Sequence, residues 1–281
     1  MTLSIITINR NNLSGLRATL ESVRCQTCAD FEHILIDGAS TDGSAEAVAE
    51  YAAGAPYPVR WISEPDTGIY NAMNKGIRIS GGEYVEILNS GDTLASPDVV
   101  QRMLAALHET GRPDILYGNM IKCWPDGKRR RDRCSSGNIT MYDMYHGTLN
   151  HNPAYIRSSL FDRFGMYDEQ LKICSDWKWY LQAIVSGGVK PVYVDIDVTH
   201  FDMTGVSERG GESREIIRLE RRAELERFLP AAILADYDRH ADDIDLVRRL
   251  RRHPWAWRCV RLLERVLFKF EKWKRNSDSV S

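Results

Sequence analysis

The sequence predicts an α/β protein in which helices flank a mixed, mostly parallel sheet and a helical appendage follows at the C-terminal end. Short apolar runs alternate with amphipathic segments over the first ninety residues, as is typical of parallel β-α-β units. Polar residues follow each of these apolar runs. Beyond residue 208 the pattern becomes helical throughout. We therefore expect an α/β domain over residues 1–207 and a helical region over 208–281.

The first strand is predicted at Leu3–Ile8, which is largely apolar, as expected for a strand buried on both faces. A helix is predicted next, because leucines recur near helical spacing after this strand. Asn12 or Ser14 can cap it. A second strand is predicted at Phe31–Ile36, and a helix of small residues at Ser44–Ala53. This order of strand and helix favours parallel pairing of the strands.

The same alternation continues through the first half of the chain. A third strand, Val59–Ser63, precedes a helix at Ile69–Ile79. A fourth strand, Tyr84–Leu88, precedes a helix at Pro97–Thr110. Later elements are less regular. They are predicted as strands at Ile115–Gly118 and Pro191–Val194 and as a helix from Cys174 to Val185.

Polar side chains stand at the carboxyl ends of these first four strands. In an open α/β sheet such ends meet at one edge, where ligands bind. We therefore expect a binding crevice there. A sheet without a binding site would also end in polar loops, and the residues alone leave that alternative open. The residues concerned are Thr7, Asn9 and Arg10 after the first strand, Asp37 and Asp42 after the second, Asp66 after the third and Asp92 after the fourth.

Asp92 ends a turn of small residues, Asn89-Ser90-Gly91, directly after the fourth strand. A carboxylate in this position is a candidate ligand for Mg²⁺ or Mn²⁺. The competing interpretation is a simple polar turn before the next helix. No glycine fingerprint of a dinucleotide-binding fold and no phosphate-binding P-loop follow the first strand. A phosphate in the crevice would therefore need a metal on Asp92 and the charge of Lys75 or Arg78.

Composition and charge narrow the class of protein further. Six cysteines include one close pair, Cys25 and Cys28, and no second pair completes a zinc site. The apolar start lacks a basic leader, so we interpret it as a strand and expect a cytoplasmic protein. The basic run Lys128–Arg131 lacks interleaved aromatic residues, and we expect no nucleic-acid binding.

Five motifs taken together resemble the family 2 glycosyltransferases, in particular small bacterial enzymes that extend surface polysaccharides or glycolipids. The resemblance implies the Rossmann-like GT-A fold. It also implies metal-dependent, inverting transfer of a sugar from a nucleotide-sugar, with UDP expected, to a hydroxyl of a glycan or lipid-linked acceptor. The motifs lie at 4–10, 36–43, 64–77, 82–92 and 174–177.

The resemblance also implies roles for individual residues. Asp92 matches the last carboxylate of the family's Asp-x-Asp metal motif, although Asn89 and Gly91 stand where many members have aspartates. One anionic ligand then remains, so the metal would depend on diphosphate oxygens and water. The expected donor-binding residues are Thr7 and Asp37 for the nucleobase and ribose, Asp66 and Lys75 for the rest of the nucleotide, and Asn9, Arg10, Asn89, Ser90 and Gly91 around them.

For the reaction itself, the resemblance makes Asp176 the catalytic base, with Ser175 in place of the family's usual glutamate. The plain alternative for this pair is a helix cap. His151 is expected on the acceptor or diphosphate side of the cleft, and Trp177 is expected to line the cleft or contact the acceptor. The segment Thr199–Ser207 matches the loop that closes over the donor, with His200 as a further candidate metal ligand.

The C-terminal region carries a basic amphipathic helix. Residues 245–275 hold eight arginines and three lysines against three acidic residues, whereas the rest of the chain is acidic. This pattern suits the surface of an anionic bilayer, on the inner face of a cell membrane. Packing on the body of the protein or on a second subunit of a homodimer is the alternative that the sequence leaves open.

Two rival functions remain at this stage. A sugar-1-phosphate nucleotidyltransferase would share the α/β architecture but need a glycine-rich basic loop after the first strand, which the sequence lacks. A catalytically inactive scaffold that binds nucleotide-sugars is suggested by Asn89, Gly91 and Ser175, the positions that depart from the family pattern.

Overall fold

The structure, a computed structural model, describes residues 1–132, 139–204 and 211–278, with side chains described as far as residue 270. The strands are β1 (Leu3–Asn9), β2 (Phe31–Asp37), β3 (Val59–Ser63), β4 (Tyr84–Ile87), β5 (Thr93–Leu94), β6 (Ile115–Cys123), β7 (Arg129–Asp132), β8 (Ala154–Arg157) and β9 (Val192–Asp202). The helices are α1 (Leu13–Arg24), α2 (Ser44–Gly54), α3 (Ile69–Ile79), α4 (Val99–Glu109), α5 (Met141–His146), α6 (Ser159–Phe164), α7 (Ser175–Tyr180) with a π-helical continuation (Leu181–Ser186), α8 (Gly211–Phe228), α9 (Ala231–Arg251) and α10 (Pro254–Asp278).

These strands form one sheet in the order β3-β2-β1-β4-β8-β6-β9-β5, with β7 paired to β6. The half β3-β2-β1-β4 is parallel, and β6 is parallel to β9. β8 runs antiparallel to β4 and β6, while β5 and β7 are short antiparallel partners of β9 and β6. The predicted mixed α/β architecture is confirmed.

The central strands are buried on both faces because helices cover each side. Leu3 and Ile5 of β1 belong to a core cluster that also contains Leu16 of α1. Ile6 points to the opposite face, where α3 packs against β1 and β2. A Cβ on Gly76 of α3 would lie 2.3 Å from Ile6 Cγ2, so the glycine permits this close approach. The parallel strands therefore direct their carboxyl ends to one fixed edge.

The chain divides into two compact units, Met1–Glu224 and Leu225–Ser281, so that the division falls within α8. In the second unit, α9 packs against α10. The predicted boundary after residue 207 falls outside the described residues and stays a prediction. Every helix in the described part of the chain is too short or too polar to cross a bilayer.

Two strands extend well beyond their predicted ends. β6 continues to Cys123 and β9 to Asp202, because their added residues pair with each other and also with β7 and β5. Elements as short as β5 and α5 show no full period of hydrophobicity, and the sequence did not indicate them. The extension of β9 matters for function, since it carries Asp202 to the turn that ends at Asp92.

Candidate active site

A cavity of about 740 Å³ lies at the carboxyl ends of β1 and β4. It brings together side chains that are far apart in the sequence, including both carboxylates to which the sequence assigned chemistry. Thr7, Asp37, Lys75, Gly91 and His200 are not among its lining residues. The predicted site residues that line it are Asn9, Arg10, Asp66, Asn89, Ser90, Asp92, His151, Asp176 and Trp177.

Asp92 is only 3 % exposed, yet its surroundings are polar. Its Oδ2 accepts a hydrogen bond from Nδ2 of Asn152 at 2.5 Å, and its Oδ1 accepts one from the backbone N–H of Asp202 at 2.9 Å. Burial raises the pKa of Asp92 from 3.8 to about 7, against the lowering effect of these hydrogen bonds and of His151. A cation beside this carboxylate would favour its charged form.

The turn that presents Asp92 is held by Thr19 of α1. The Thr19 hydroxyl accepts a hydrogen bond from the Gly91 N–H at 2.9 Å and donates one to the Asp92 carbonyl at 2.7 Å. Gly91 has a φ of +106°, a conformation that L-residues with a side chain rarely adopt. Gly91 therefore shapes the turn, and an aspartate at its position would strain it.

Asp176 occupies the first turn of α7 and is held from two sides. Its Oδ2 lies 2.9 Å from Nδ1 of His151, and its Oδ1 accepts a hydrogen bond from the Tyr70 hydroxyl at 3.2 Å. The Tyr70 hydroxyl also contacts the backbone carbonyl of Ile173. Burial and the charge of Asp176 raise the pKa of Tyr70 well above its usual value, so Tyr70 is a neutral donor. The Asp176 side chain remains 14 % exposed, facing the cavity.

Two consecutive residues connect the two carboxylates. His151 contacts Asp176, and Asn152 donates to Asp92. Nε2 of His151 also lies 3.3 Å from Nδ2 of Asn89. Since a carboxylate oxygen accepts, Nδ1 of His151 carries the proton toward Asp176, and Nε2 faces the side-chain amide of Asn89. The short segment before β8 thus sets the spacing between the base candidate and the metal-ligand candidate.

Asp37 has both carboxylate oxygens engaged in hydrogen bonds. Oδ1 accepts from Asn9 Nδ2 at 2.9 Å and from the Ser40 hydroxyl at 2.5 Å. Oδ2 accepts from the Ser40 backbone N–H at 2.9 Å and from the Ser63 hydroxyl at 2.7 Å. Burial raises the pKa of Asp37, but these hydrogen bonds outweigh it and bring the pKa below its usual value. Asp37 therefore ties the ends of β1, β2 and β3, while Asn9 reaches the cavity.

Lys75 is occupied by neighbouring acceptors. Its Nζ lies 2.7 Å from Asp66 Oδ1, 2.8 Å from Glu64 Oε1 and 2.9 Å from the Pro65 carbonyl. Burial lowers the pKa of Lys75, but the two carboxylates outweigh it and raise the pKa above its usual value. Of this ion pair, Asp66 is the member that lines the cavity.

Thr7 lies in the interior instead of at the cavity. Its side chain is fully buried, and its hydroxyl oxygen lies 2.9 Å from Nε2 of His33. Nδ1 of His33 in turn lies 2.8 Å from the Tyr51 hydroxyl. Burial lowers the pKa of His33 to about 3, so this imidazole is neutral. Thr7 therefore belongs to a buried polar network beneath the crevice.

His200 lines a second, smaller cavity of about 360 Å³ beside Arg129 and Trp124. Its Nδ1 lies 3.5 Å from the Thr93 hydroxyl oxygen. Burial, followed by the charge of Arg129, lowers the pKa of His200. Asp202 lines both cavities. Within the described ranges no group of three His, Cys, Asp or Glu side chains is arranged as a metal site. Residues 205–207 of the predicted donor-closing loop lie outside those ranges.

Trp177 is 2 % exposed and anchors α7. Its Nε1 donates to the Met144 carbonyl at 2.8 Å, and the guanidinium carbon of Arg221 lies 4.6 Å from its ring centroid. Arg221 also donates to the carbonyls of Met144 and Gly147 at the end of α5. Trp177 thus holds the helix of Asp176 against α5 and α8.

The lining residues that the sequence analysis did not single out include Tyr70, Asn152, Asp202 and Arg221. Tyr70 lies within a motif, and Asn152 directly follows His151, so adjacency to assigned residues was an available signal. Asp202 could not be assigned to the site from the sequence, because the predicted strand β9 ended well before it. Arg221 gave no signal, because it is one of many charged residues in α8.

Comparison with known proteins completes the description of the site. The sequence model of a family described as "Glycosyl transferase family 2" matches residues 4–171 and ends just before the segment that carries Asp176. An uncharacterized glycosyltransferase of Mycobacterium tuberculosis is 33% identical over 231 residues, which is 82% of this chain and 86% of the relative. A PGL/p-HBAD biosynthesis glycosyltransferase of Mycobacterium bovis is 27% identical over 219 residues, or 77% of this chain and 81% of the relative.

Solved structures show the same fold at low sequence identity. Residues 1–349 of S. aureus TarS, in complex with UDP-GlcNAc, align with a TM-score of 0.62 at 20% identity, covering 83% of this chain and 69% of that chain. The mannosyltransferase PcManGT of Pyrobaculum calidifontis, in complex with GDP-Man and Mn²⁺, aligns with a TM-score of 0.56 at 18% identity, covering 77% and 60%. The aligned shares, 83% and 77% of this chain, are larger than the share that the family match at residues 4–171 covers.

Proposed function

The chain belongs to glycosyltransferase family 2, and on that premise we propose that it moves a sugar, with inversion, from a UDP-sugar to a hydroxyl of a glycan or lipid-linked acceptor in surface polysaccharide or glycolipid synthesis. One observation carries the proposal: Asp92 and Asp176 line a single cavity and are connected by His151 and Asn152. The reaction needs a base near the nucleophile, which Asp176 supplies in this proposal, and positive charge near the leaving diphosphate, which a cation held by Asp92 would supply.

Asp176 is the proposed base. Its carboxylate accepts the proton of the acceptor hydroxyl while that oxygen forms a bond to the anomeric carbon of the donor. The bond from the anomeric carbon to the phosphate oxygen breaks on the opposite face, and the nucleoside diphosphate leaves. His151 and Tyr70 each hold one carboxylate oxygen, which keeps Asp176 oriented toward the cavity. A carboxylate that is 14 % exposed can still reach a bound acceptor.

Asp92 is the proposed ligand of Mn²⁺ or Mg²⁺. Each of its oxygens accepts one hydrogen bond, which leaves acceptor capacity for a cation, and burial of the carboxylate disfavours its charge without one. Asp202, which lines the same cavity, is a second carboxylate available there. A cation held here would neutralise charge on the diphosphate. The residues fit a site that is completed by the nucleotide and water, and the Mn²⁺ of the PcManGT complex supports metal use.

The donor side is proposed from the cavity lining and from the ligands of the structural neighbours. Asn9, Arg10 and Asp66 line the part of the cavity next to β1 and β3. The positive charge that faces the diphosphate is proposed to come from Arg10. Lys75 is less available for this role, because it is already paired with Glu64 and Asp66. The UDP-GlcNAc complex of TarS supports a UDP-linked donor.

The acceptor is proposed to reach the enzyme at a membrane surface on the cytoplasmic side. In α10 the side chains of Trp255, Leu262, Leu263 and Phe268 are all more than 60 % exposed, and arginines lie between them. An exposed apolar and basic helix suits an anionic bilayer. The name of the mycobacterial glycolipid-synthesis relative supports a lipid-linked acceptor. Contact with a second copy of the chain is the competing outcome, and side chains beyond residue 270 are outside the described part.

Thermal stabilisation by UDP-, GDP- and dTDP-sugars, each with and without Mn²⁺, tests the donor and the metal together. We expect metal-dependent stabilisation by one UDP-sugar and release of UDP when an acceptor is added. Stabilisation without UDP release from any donor and acceptor pair would support the inactive scaffold that Ser175 and Gly91 suggest. Stabilisation by a nucleoside triphosphate and a sugar 1-phosphate would support a nucleotidyltransferase.

A further inference from the structure

Glu220 of α8 binds the backbone of the loop that leads into α7. Its Oε1 accepts a hydrogen bond from the N–H of Lys172 at 2.5 Å. Its Oε2 accepts from the N–H of Ile173 at 3.0 Å and from the N–H of Cys174 at 2.9 Å. Three consecutive amides are thus satisfied by one carboxylate, and charge-assisted hydrogen bonds of this kind are stronger than neutral ones.

The same loop is held from the other side by the site itself. The Tyr70 hydroxyl has one proton, which it shares between the Ile173 carbonyl, the nearer acceptor, and Oδ1 of Asp176 at 3.2 Å. Ile173 is therefore fixed at its N–H by Glu220 and at its carbonyl by Tyr70. Asp176 lies only three residues further along the chain, so a shift of this loop moves the carboxylate.

Two neighbours of Glu220 on α8 hold α7 as well. Arg221 lies over the ring of Trp177 at 4.6 Å, and Glu224 pairs with Lys178 at 3.0 Å. These contacts lie directly after Asp176 in the sequence, whereas those of Glu220 lie before it. Together they hold the backbone on both sides of Asp176 against α8.

We propose that Glu220 is a positioning residue for the base, a role that rests on Asp176 acting as the base in the proposed function. Glu220 is not among the residues that line the cavity. It acts by fixing the backbone that presents Asp176 to the acceptor hydroxyl. The family match ends at residue 171, so it assigns no role to this position.

The mechanism predicts a specific kinetic signature. Loss of the carboxylate leaves three amides without their acceptor, and the loop before α7 shifts. A displacement of about 1 Å of a catalytic group can cost roughly 100-fold in rate. The loop lines the same cavity as the proposed donor-binding residues, but the hydrogen bonds described for Asn9 and Asp66 are made with Asp37, Ser40 and Lys75 and not with residues 172–174, so we expect them to persist. The kcat should therefore fall while the KM for the donor changes little.

The test compares Glu220→Gln and Glu220→Ala with Glu215→Ala in the full chain. Glu215 lies on the same helix, is exposed and pairs only with Arg218 among the contacts described for it. We expect kcat to fall roughly 100-fold in Glu220→Ala, less in Glu220→Gln, which keeps one acceptor oxygen, and not at all in Glu215→Ala. Donor KM should stay within about twofold of the wild-type value. A kcat equal to wild type in both Glu220 variants would overturn the proposal.

Hydrogen exchange and a double variant separate this role from a general structural one. Amide exchange should accelerate at residues 172–174 in Glu220→Gln, while β1 and β4 keep wild-type protection. Uniform acceleration across the sheet would indicate global destabilisation and overturn the positioning role. In Asp176→Asn the residual rate should not fall further when Glu220→Gln is added. If Glu220→Gln lowers the rate equally in the wild-type and Asp176→Asn proteins, Glu220 does not act through Asp176. If Asp176→Asn alone is fully active, Asp176 is not the base. In that case the exchange rates at residues 172–174 still show whether Glu220 holds the loop.

Discussion

Nδ1 of His151 lies 2.9 Å from Oδ2 of Asp176, with side chains that are 15 % and 14 % exposed. The distance is that of a hydrogen bond, and the exposure leaves the carboxylate open to the cavity. Because Asn89 lies against the other imidazole nitrogen, the ring is oriented and its proton points to Asp176. The arrangement holds the carboxylate ready to accept a proton without covering it.

Replacement of His151 should reduce turnover and spare donor binding. His151→Ala removes one of the two side chains that orient Asp176, and we expect kcat to fall roughly 10- to 100-fold. His151→Asn can place an amide donor near the position of Nδ1 and should recover part of the loss. Steady-state kinetics with varied acceptor and donor measure both effects. If the two variants are equally impaired, orientation by the Nδ1 hydrogen bond is not the role of His151.

Asp176→Asn should abolish transfer while leaving the nucleotide-sugar bound. The amide cannot accept the proton of the acceptor hydroxyl, and general base catalysis commonly contributes roughly 100- to 10,000-fold. Calorimetric titration with the donor should give wild-type affinity, since the proposed role of Asp176 is toward the acceptor hydroxyl and not the donor. Turnover within tenfold of wild type would remove Asp176 as the base.

Metal binding should depend on the nucleotide. No three-ligand group for a metal occurs among the described residues, so Asp92 needs diphosphate oxygens to complete a cation site. We expect weak Mn²⁺ binding by the protein alone and clearly tighter binding once UDP is present, measured by calorimetry. Asp92→Asn should lose the metal-dependent part of UDP binding. Tight Mn²⁺ binding without nucleotide would contradict a site with one main protein ligand.

Elements with a proline or glycine close to each end could be predicted closely from the sequence. Val59–Ser63 and Ile69–Ile79 have the predicted bounds, because such breaks stand on both sides of each of them. The ends of β6 and β9 could not be predicted, since edge pairing and not hydrophobic pattern determines them.

For the site, position at a strand end proved more informative than residue type. Asp92 and Asp176 line one cavity, as motif positions suggested, but Thr7 faces the interior and His200 a different cavity. Thr7 and Asn9 lie on the same face of β1, but Thr7 lies two residues before the end of the strand, where its hydroxyl contacts His33 beneath the cavity. How far along each strand the cavity begins depends on the packing of the neighbouring strands and loops, which the sequence pattern does not give. Glu220 was out of reach because its partners lie almost fifty residues away and are backbone amides.

Charge on α10 should decide whether the protein binds membranes. Leu263→Glu places a carboxylate among exposed apolar side chains, and we expect reduced flotation with vesicles that contain phosphatidylglycerol. Ile233→Glu, at an exposed apolar position of α9, is the matched control and should float like wild type. Vesicles of phosphatidylcholine alone should bind all three proteins weakly. Equal flotation of both variants and wild type would show that α10 does not make the contact, and a concentration-dependent dimer would favour the second copy of the chain.

Glu86 should make the protein less stable as the pH rises. It lies in β4, is fully buried, and neither carboxylate oxygen has a hydrogen-bond partner among the described residues. Burial raises the pKa of Glu86 well above its usual value of 4.5. Above pH 4.5 the unfolded chain therefore releases a proton that the folded chain keeps, and the free energy of unfolding falls with pH by up to about 1.4 kcal/mol per unit from this group.

Glu86→Gln removes the ionisation at nearly constant shape and isolates this effect. The free energy of unfolding of the variant should exceed that of wild type by an amount that grows as the pH rises through 5 and 6. Urea denaturation at several pH values measures the difference, in which the other titrating groups cancel. Asp162→Asn provides a control at a carboxylate whose side chain is exposed on α6. A difference that does not change with pH would mean that Glu86 ionises in the folded protein as it does in the unfolded chain.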